Sequence, residues 1–255
     1  MVEKPVNACL GILSRSRVFQ AAPSADLEGL ALRCVVERYR RGAEIVQRGV
    51  SRDALVVVGR GRVKATLPAP AADAELVVNL LWPGDFFGEA ELFDRQDRAA
   101  TAIAVTEVEV AFVPRIDFLA LLERRPAVAV RLAEALCDKL RLAREMSLSL
   151  RFLDIPSRLY QQLSYLGRYD SRPEAGGVRI QHGLSQQELA DSIGASREAL
   201  NKVISDWKRA GILEWGRGFV VLPDPGALQR RLPQGPRSQA AFGDSLPAFE
   251  IRARA

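Results

Sequence analysis

Histidine is almost absent from this sequence, with His182 as the only one among 255 residues. Serine and cysteine nucleophiles usually need a histidine base, and zinc and haem iron usually take histidine ligands, so a single histidine argues against most of these sites. A catalytic centre would have to use lysine, carboxylate or tyrosine chemistry, and no constellation of those groups stands out. We therefore do not expect an enzyme.

Cysteine is scarce as well, because Cys9, Cys34 and Cys137 are only three and stand far apart in the chain. An odd, scattered set predicts neither a disulfide framework nor a metal site of the Cys-x-x-Cys type. We expect these thiols to be packing or surface residues, with redox sensing as the less favoured alternative.

Long apolar runs are also missing. No stretch of about 18 apolar residues occurs, so a membrane span is not expected. The N-terminus carries Glu3 and Pro5 and has no apolar core, which argues against a secretion signal and makes the cytoplasm the expected location. A chain of 255 residues, 48% hydrophobic and 26% charged, is typical of a globular protein with one large domain or two ordinary ones.

Most of the net charge of +5 lies in the C-terminal part of the chain. From residue 155 onward there are 14 Lys and Arg against 10 Asp and Glu, an excess of four. A mildly basic segment of this kind is compatible with a nucleic-acid partner, although such an excess is more often only a solvated surface.

Short β-type segments punctuated by glycine follow one another between residues 36 and 113. Each is rich in Val, Leu, Ile or Thr, and no long helix intervenes, which predicts an antiparallel jelly roll or barrel. A short helix around Leu27 precedes them, and no element is predicted for residues 1–15. The predicted strands are Glu44–Gln47, Ala54–Gly59, Gly61–Leu67, Glu75–Leu81, Ala100–Val105 and Glu109–Val113.

The segment between the fourth and fifth predicted strands carries the most informative pattern in this half. Gly88 allows backbone N–H groups to approach an anion, and a short helix from Glu89 would point its positive end at that anion. Glu89 can accept hydrogen bonds from a sugar hydroxyl, and Arg98 can grip phosphate oxygens. Ala99 and Ala100 leave room for a ring. These residues predict a pocket for a small phosphorylated sugar, and a structural ion pair of Arg98 with Glu89 is the alternative.

From Pro126 to about Leu153 the chain has no further proline and no glycine, which predicts one helix of about 27 residues and on the order of 40 Å. Apolar residues recur along it at steps of four and three, a spacing that predicts a two-stranded coiled coil and hence a parallel homodimer. The alternative is a long helix packed against its own jelly roll. The predicted seam is Leu132, Leu136, Lys139, Ala143, Met146, Leu150 and Leu153.

A break around Pro156 predicts a hinge, and a helix follows it from Ser157 to Tyr169. Further on, Ser185 with Glu188 forms a capping box that starts another helix. The pattern up to this point therefore predicts a C-terminal region that contains helices and begins at the break around Pro156.

Gly194 permits a left-handed turn after that helix, and Ser196 caps a second helix that runs to about Arg209. A helix, a glycine turn and a capped helix within about 25 residues indicate a helix-turn-helix. Two predicted strands follow, Ile212–Trp215 and Phe219–Leu222, and they form a hairpin of the kind called a wing.

The order of these features resembles the Crp/Fnr superfamily of bacterial transcription regulators, which includes the catabolite activator, over roughly residues 10–225. The resemblance rests on residues 84–89 with Arg98, on residues 152–154, and on residues 184–202. It implies an α+β architecture with an N-terminal antiparallel jelly roll that binds a cyclic nucleotide, a long dimerisation helix and a C-terminal winged helix-turn-helix. The implied domains are 1–125 for the sensor, 126–154 for the dimerisation helix and hinge, 155–232 for DNA binding, and 233–255 for a mobile tail.

By this resemblance, Glu89 binds the ribose 2′-hydroxyl and Arg98 binds the cyclic phosphate, with backbone N–H groups of Gly88, Glu89 and Ala99 completing the phosphate site. The chain departs from the family at Glu91, where a small residue is usual. An extra carboxylate near a phosphate is repulsive unless it turns to solvent.

A second departure concerns the base. The long-helix positions that present hydroxyls to adenine in the bacterial activator carry Ala143 and Arg144 here. Arg144 could instead stack on a purine or donate to guanine, so the base stays open. The implied nucleotide site comprises Gly88, Glu89, Ala90, Arg98, Ala99, Ala100, Ala143 and Arg144.

The resemblance favours cyclic AMP as the effector, with cyclic GMP or cyclic di-GMP as alternatives. The family's other sensors fit poorly. Its iron–sulfur members need four cysteine ligands, and its haem member uses a histidine in the sensor domain, whereas His182 falls outside that domain. We therefore expect no metal, haem or iron–sulfur cluster.

On the DNA side, the matching positions make Arg197, Glu198 and Lys202 base readers, the two cations donating to guanine and the carboxylate accepting from cytosine N4. The positions of Ser185, Gln187, Ser196 and Ala199 match phosphate contacts. Together with residues on the second helix and the wing tip, the implied DNA site comprises Ser185, Gln187, Ser196, Arg197, Glu198, Asn201, Lys202 and Arg217.

The expected function is that of a homodimeric, sequence-specific regulator that binds a palindromic operator, contacts RNA polymerase and is controlled by a cyclic nucleotide. One alternative keeps the DNA binding and has no effector or a different one. The other, less favoured, is a nucleotide-handling enzyme built on the same jelly roll, against which the single histidine speaks.

Overall fold

The computed structural model describes residues 5–50, 52–68, 75–174 and 176–232. The chain divides into two compact units, Met1–Arg141 and Leu142–Ala255. The tail predicted for residues 233–255 lies outside the described residues. No helix within the described ranges is long and apolar enough to cross a membrane.

Within the described residues of the first unit, eight strands form two four-stranded antiparallel sheets, which confirms the predicted jelly roll. The strands are β1 (Val35–Tyr39), β2 (Glu44–Val46), β3 (Ala54–Arg60), β4 (Val63–Pro68), β5 (Glu75–Leu81), β6 (Phe86–Phe87), β7 (Thr101–Ala104) and β8 (Val108–Pro114). One sheet has the order β1-β8-β3-β6 and the other β2-β7-β4-β5. The sequence prediction omitted β1, whose side chains are exposed or half-buried, and β6, which is only two residues long.

Strand β3 is buried on both faces, which explains its unbroken apolar run. Leu55 and Val57 face a core shared with the helices, whereas Val56 and Val58 face the core between the two sheets. A strand covered on both sides has no polar positions to alternate with its apolar ones. Strand β3 is therefore the central layer on which the first unit is built.

Helix α1 (Pro5–Arg15) covers one side of β3, although no element was predicted there. Its buried residues Cys9, Ile12 and Leu13 follow helical spacing. The helix approaches the sheet so closely that a Cβ on Gly59 would lie 2.4 Å from Cγ1 of Ile12. The missing side chain at residue 59 thus makes room for α1.

Further helices complete this unit. They are a 3-10 helix at Arg17–Ala21, α2 (Ser24–Ala31), α3 (Glu89–Asp94), α4 (Arg115–Arg124) and the first part of α5 (Pro126–Phe152). The predicted long helix is confirmed at its expected length of 27 residues.

The predicted coiled-coil seam is wrong for the first half of α5. Leu132 is only 4% exposed and lies with Val128 in the jelly-roll core, and Leu136 packs against the same core. The exposed apolar side chains lie on another face of the helix and include Val130 and Leu140, the latter 72% exposed. The alternative of a helix packed on its own jelly roll is therefore correct for this half, and the free apolar stripe runs along a different face.

The second unit contains the last part of α5 and a four-stranded antiparallel sheet surrounded by helices. Its elements are α6 (Ile155–Tyr169), β9 (Ser171–Glu174), β10 (Gly177–Gln181), α7 (Gln186–Ser192), α8 (Arg197–Arg209), β11 (Glu214–Gly216), β12 (Phe219–Leu222) and α9 (Pro225–Arg230). The sheet order is β11-β12-β10-β9. No strand was predicted at β9, which is stabilised by pairing with β10 rather than by its own composition.

The break between α5 and α6 lies where the hinge was predicted. Helix α5 ends at Phe152, and Asp154 caps α6 by accepting a hydrogen bond from the backbone N–H of Ser157 at 2.9 Å. Pro156 falls inside the first turn of α6, where its missing N–H costs no helical hydrogen bond. The helix therefore begins two residues earlier than predicted.

The three cysteines are free, and the fold brings two of them together. Cys9 is buried and Cys34 is half-buried against the same core. A hydrogen bond to Cys9, together with burial, raises the pKa of the Cys34 thiol. Cys137 is exposed on α5.

We expect Gly59→Ala to lower the free energy of unfolding by about 1 to 3 kcal/mol, because the new methyl group would overlap Ile12. The double variant Gly59→Ala with Ile12→Ala should cost less than the sum of the two single changes, as denaturant titration can measure. Gly29→Ala is the matched control, since a Cβ there would meet nothing within 4 Å. Equal destabilisation by Gly29→Ala and Gly59→Ala would contradict this account of α1 packing.

Candidate nucleotide and nucleic-acid sites

The predicted phosphate-binding segment begins at a left-handed turn between β6 and α3. Gly88 has φ +85°, a conformation that side chains rarely adopt. A Cβ on Gly88 would lie 1.6 Å from Nη1 of Arg98. Glycine is therefore needed here for both its backbone conformation and the close approach of the guanidinium.

Arg98 is held in the interior of the jelly roll, with its side chain only 2% exposed. Its Nη2 donates to the carbonyl of Arg52 at 2.8 Å and to that of Ala54 at 2.6 Å. Burial lowers the pKa of the Arg98 guanidinium, opposed by the charges of nearby carboxylates. Arginine nevertheless stays protonated in proteins, so the site contains a fixed buried cation.

The carboxylate that pairs with Arg98 is that of Glu91. Its Oε2 lies 3.2 Å from Nη1 of Arg98, and its Oε1 accepts the backbone N–H of Ala99 at 3.1 Å. The side chain of Glu91 is only 16% exposed. Glu91 therefore does not turn to solvent, which was the condition for avoiding repulsion of a phosphate, and the alternative that Arg98 forms a structural ion pair with Glu89 is wrong.

One donor of Arg98 is left over. Among the described residues, its Nε is buried and has no hydrogen-bond partner. A buried donor without a partner costs about 1–3 kcal/mol. The guanidinium can therefore bind more acceptor atoms than this arrangement supplies.

Glu89 has a partner that sequence reasoning missed. Nζ of Lys139 on α5 lies 2.8 Å from Oε1 of Glu89 and donates to the carbonyl of Phe86 at 2.8 Å. The same ammonium group lies 4.0 Å from the centroid of the Phe86 ring. The sequence did contain a signal for this contact, because Lys139 is the single charged residue in the otherwise apolar series predicted along α5. Lys139 thus ties the long helix to the residue assigned to ribose binding.

Apart from the backbone N–H of Ala99, which donates to Glu91, the other residues assigned to the nucleotide make no side-chain hydrogen bond among the described contacts. Ala90 and Ala99 are exposed and Ala100 is half-buried. Ala143 and Arg144 are exposed on the part of α5 that belongs to the second unit, and their role in selecting the base stays a prediction.

Helices α7 and α8 have the two caps expected of the helix-turn-helix. Ser185 accepts the N–H of Glu188 at 3.2 Å, and Glu188 in return accepts the N–H of Ser185 at 2.7 Å. Ser196 accepts the N–H of Ala199 at 3.2 Å. Gly194, between the helices, has φ +60°. Local capping therefore sets where both helices begin.

Arg158 of α6 fixes the turn between these helices. Its Nη1 donates to the carbonyl of Ile193 at 2.5 Å and to that of Gly194 at 2.9 Å. A Cβ on Gly194 would also lie 2.4 Å from Cδ2 of Leu150. No local pattern in the sequence pointed to Arg158, because its partners are 35 and 36 residues away.

The residues assigned to DNA are exposed, apart from one that is half-buried. Arg197, Glu198 and Lys202 are exposed near the start of α8, and Asn201 is half-buried. A hydrogen bond from its own backbone N–H and one from the Ser196 hydroxyl lower the pKa of the Glu198 carboxyl. One groove between the helix-turn-helix and the wing is lined by Ser185, Gln187, Arg197 and Arg217.

His182 lies inside the second unit. It is buried, its Nδ1 accepts the N–H of Leu184 at 3.2 Å, and its ring lies 5.3 Å from that of Trp215. Within the described ranges, no group of three or more His, Cys, Asp or Glu side chains is arranged to hold a metal ion.

Comparison with known proteins matches both units to protein families. A family model for the cyclic nucleotide-binding domain matches residues 36–125, and one for the Crp-like helix-turn-helix domain matches residues 157–231. The combination defines a transcription regulator with a cyclic-nucleotide-binding domain.

Relatives align over most of their own length. The chain is 30% identical to a CRP-like cAMP-activated global transcriptional regulator of Mycobacterium tuberculosis over 86% of this chain and 98% of that one. It is 33% identical to the cyclic AMP receptor protein of Thermus thermophilus over 75% and 85%. A solved CRP-family transcriptional regulator from Thermus thermophilus superimposes with a TM-score of 0.65 at 26% identity, covering 76% and 95%. The chain belongs to the Crp/Fnr superfamily of transcription regulators, and these relatives are regulators rather than enzymes.

We expect Gly88→Ala to destabilise the first unit by more than about 2 kcal/mol, because it adds a severe overlap with Arg98 to a strained backbone. Gly42→Ala is the matched control. Its φ of +82° is nearly the same, but a Cβ there meets nothing within 4 Å. Denaturant unfolding of both variants separates the two contributions, and equal losses would show that contact with Arg98 contributes nothing.

Proposed function

We propose that this protein is a homodimeric, sequence-specific transcription regulator whose affinity for DNA is set by a cyclic nucleotide in the first unit, with cyclic AMP as the favoured effector. The nucleotide site in the first unit comprises Gly88, Glu89, Ala90, Arg98, Ala99 and Ala100, and selection of the base is assigned to Ala143 and Arg144. The regulator acts on a palindromic operator and contacts RNA polymerase there.

The observation that carries this proposal is the buried guanidinium of Arg98 against Gly88. Two backbone carbonyls fix its position, and its Nε remains without a partner within the described ranges. A preorganised cation with spare donors beside a glycine turn is suited to a phosphate.

Cyclic AMP is favoured among the possible effectors because of the relatives' names. One is named as cAMP-activated and another as a cyclic AMP receptor. Cyclic GMP and cyclic di-GMP are the alternatives, because an arginine at 144 could donate to guanine O6 and N7.

Dimerisation would use the exposed face of α5. Val130, Cys137 and Leu140 are exposed and follow one another at steps of seven and three, the spacing of a coiled-coil seam. Two such helices would bury apolar surface that a single chain leaves in water.

Signal transfer would begin at the ion pair between Lys139 and Glu89. A ribose hydroxyl that binds Glu89 must share this carboxylate with the ammonium group or replace it, and either event changes how α5 is held. The effector would then shift the population of dimer arrangements, and the break at Asp154 would change the spacing of the two recognition helices.

Recognition of DNA would follow the exposed surface of the second unit. Arg197 and Lys202 would donate to guanine and Glu198 would accept from cytosine. Asn201 is a further base contact. The phosphate contacts that fix the register would come from Ser185, Gln187, Ser196 and Arg217.

The ion pair between Arg98 and Glu91 favours a second candidate, a regulator of the same fold that works without an effector. In that case the carboxylate would satisfy the cation permanently, and regulation would come from the abundance of the protein. Operator binding by ligand-free protein that no cyclic nucleotide changes would select this candidate.

Calorimetric titration with cyclic AMP, cyclic GMP and cyclic di-GMP tests the effector. We expect cyclic AMP to bind with a dissociation constant on the order of micromolar, and Arg98→Ala to weaken binding at least about tenfold by removing the charge-assisted contact. Arg98→Lys, which keeps the charge, should bind at an intermediate level.

Arg48→Ala is the matched control, because Arg48 is an exposed arginine of the same unit. Its binding should equal that of the wild type. The effector proposal fails if none of the three nucleotides binds, or if Arg98→Ala binds as tightly as Arg48→Ala.

Operator binding can be measured after selecting the preferred site from random duplexes. We expect Arg197→Ala and Lys202→Ala each to cost about 1–3 kcal/mol and to relax the base preference at one position. Lys208→Ala is the control, since Lys208 is an exposed cation at the other end of α8. A loss as large for Lys208→Ala would point to non-specific charge rather than base reading.

A further inference from the structure

A carboxylate of the protein itself lies at the position assigned to the effector's phosphate. Glu91 contacts the same two donors, the guanidinium of Arg98 and the backbone N–H of Ala99, at 3.2 and 3.1 Å. One carboxylate oxygen serves each donor, so Glu91 bridges them as two oxygens of a phosphate would.

The guanidinium does not depend on Glu91 for its position. Its Nη2 is anchored to the carbonyls of Arg52 and Ala54, and Gly88 lies against Nη1. Removal of the carboxylate would therefore leave the cation in place with Nη1 and the Ala99 N–H open to another anion. Glu91 therefore fills a binding site whose geometry other groups fix, and it is not needed to hold Arg98 in position.

The occupant is a poor match for the donors. A hydrogen bond between an arginine and a carboxylate is usually about 2.7–2.9 Å long, and the contact of Glu91 with Arg98 is longer, at 3.2 Å. The Nε of Arg98 stays buried without a partner within the described ranges. A phosphodiester carries the same single negative charge and has more acceptor atoms, so it could exchange for the carboxylate without changing the net charge at Arg98.

We infer that Glu91 is an internal competitor for the effector, which keeps the phosphate subsite filled in the free protein and must swing out before a cyclic nucleotide can bind. The inference rests on the proposed function, because it concerns the same site. It also assigns a purpose to the carboxylate at a position where a small side chain would leave the subsite open. The protein would then respond only at effector concentrations high enough to displace Glu91.

Inorganic phosphate tests the occupancy of the subsite without any nucleotide. In a phosphate-free buffer, Glu91→Ala should have a lower Tm than the wild type, because Arg98 loses the carboxylate that forms its ion pair. Added phosphate at tens of millimolar should raise the Tm of Glu91→Ala by roughly 3 °C or more, and that of the wild type much less. Glu91→Gln, which keeps the shape of the side chain, serves if Glu91→Ala does not fold.

Asp97→Asn is the matched control, since it removes one negative charge from an exposed position in the same segment. It should respond to phosphate as the wild type does. The inference is overturned if phosphate stabilises the wild type and both Glu91 variants equally.

Titration with cyclic AMP and cyclic GMP then separates the two proposals. We expect Glu91→Ala and Glu91→Gln to bind about tenfold to a hundredfold more tightly than the wild type and Asp97→Asn. Equal or weaker binding by both Glu91 variants overturns the inference while the effector proposal stands. If neither nucleotide binds any of these proteins and cyclic di-GMP does not bind either, the effector proposal fails, and the phosphate response alone decides whether Glu91 fills the subsite.

Discussion

A guanidinium group withdrawn almost completely from water must find its hydrogen-bond acceptors inside the protein, because an unpaired buried charge is too costly to keep. Arg98 meets this requirement with two carbonyls at the start of strand β3 and with Glu91 on α3. Gly88 makes it possible by having no side chain where Nη1 lies. Between β6 and β7, both the turn at Gly88 and the side chain of Glu91 contact this guanidinium group.

The charged side chains of this site form ion pairs with one another within a single chain. Arg98 is matched by Glu91, and Glu89 is matched by Lys139. A ligand with a phosphate and a ribose would therefore enter by exchanging partners rather than by filling an empty cavity. The free energy of binding is then a difference between two sets of contacts, which makes affinity sensitive to single residues that never touch the ligand.

Local signals explain what could be predicted from the sequence. Glycines at the joints and short apolar runs placed most strands of the jelly roll, and serine caps with Gly194 placed the two helices of the helix-turn-helix. The side-chain partners could not be predicted in this way. The repeat of α5 has apolar residues on two faces with the same spacing, so only packing shows that Leu132 faces the core while Leu140 faces solvent. The direction of Glu91 likewise depends on a residue seven positions away that is brought near by the turn of the chain.

The first half of α5 also bears on how such a protein can exchange its parts. Val128 and Leu132 close the jelly-roll core, so about two turns of this helix are needed to complete the jelly roll. A recombination event or a designed fusion that joins a new output domain at the start of the helix would leave the sensor with an open apolar face. A fusion point that preserves folding therefore lies inside a continuous helix. A fusion there must also keep the helical register, so that each side chain stays on its own face. Module exchange in this architecture is therefore constrained by helical register as well as by sequence length.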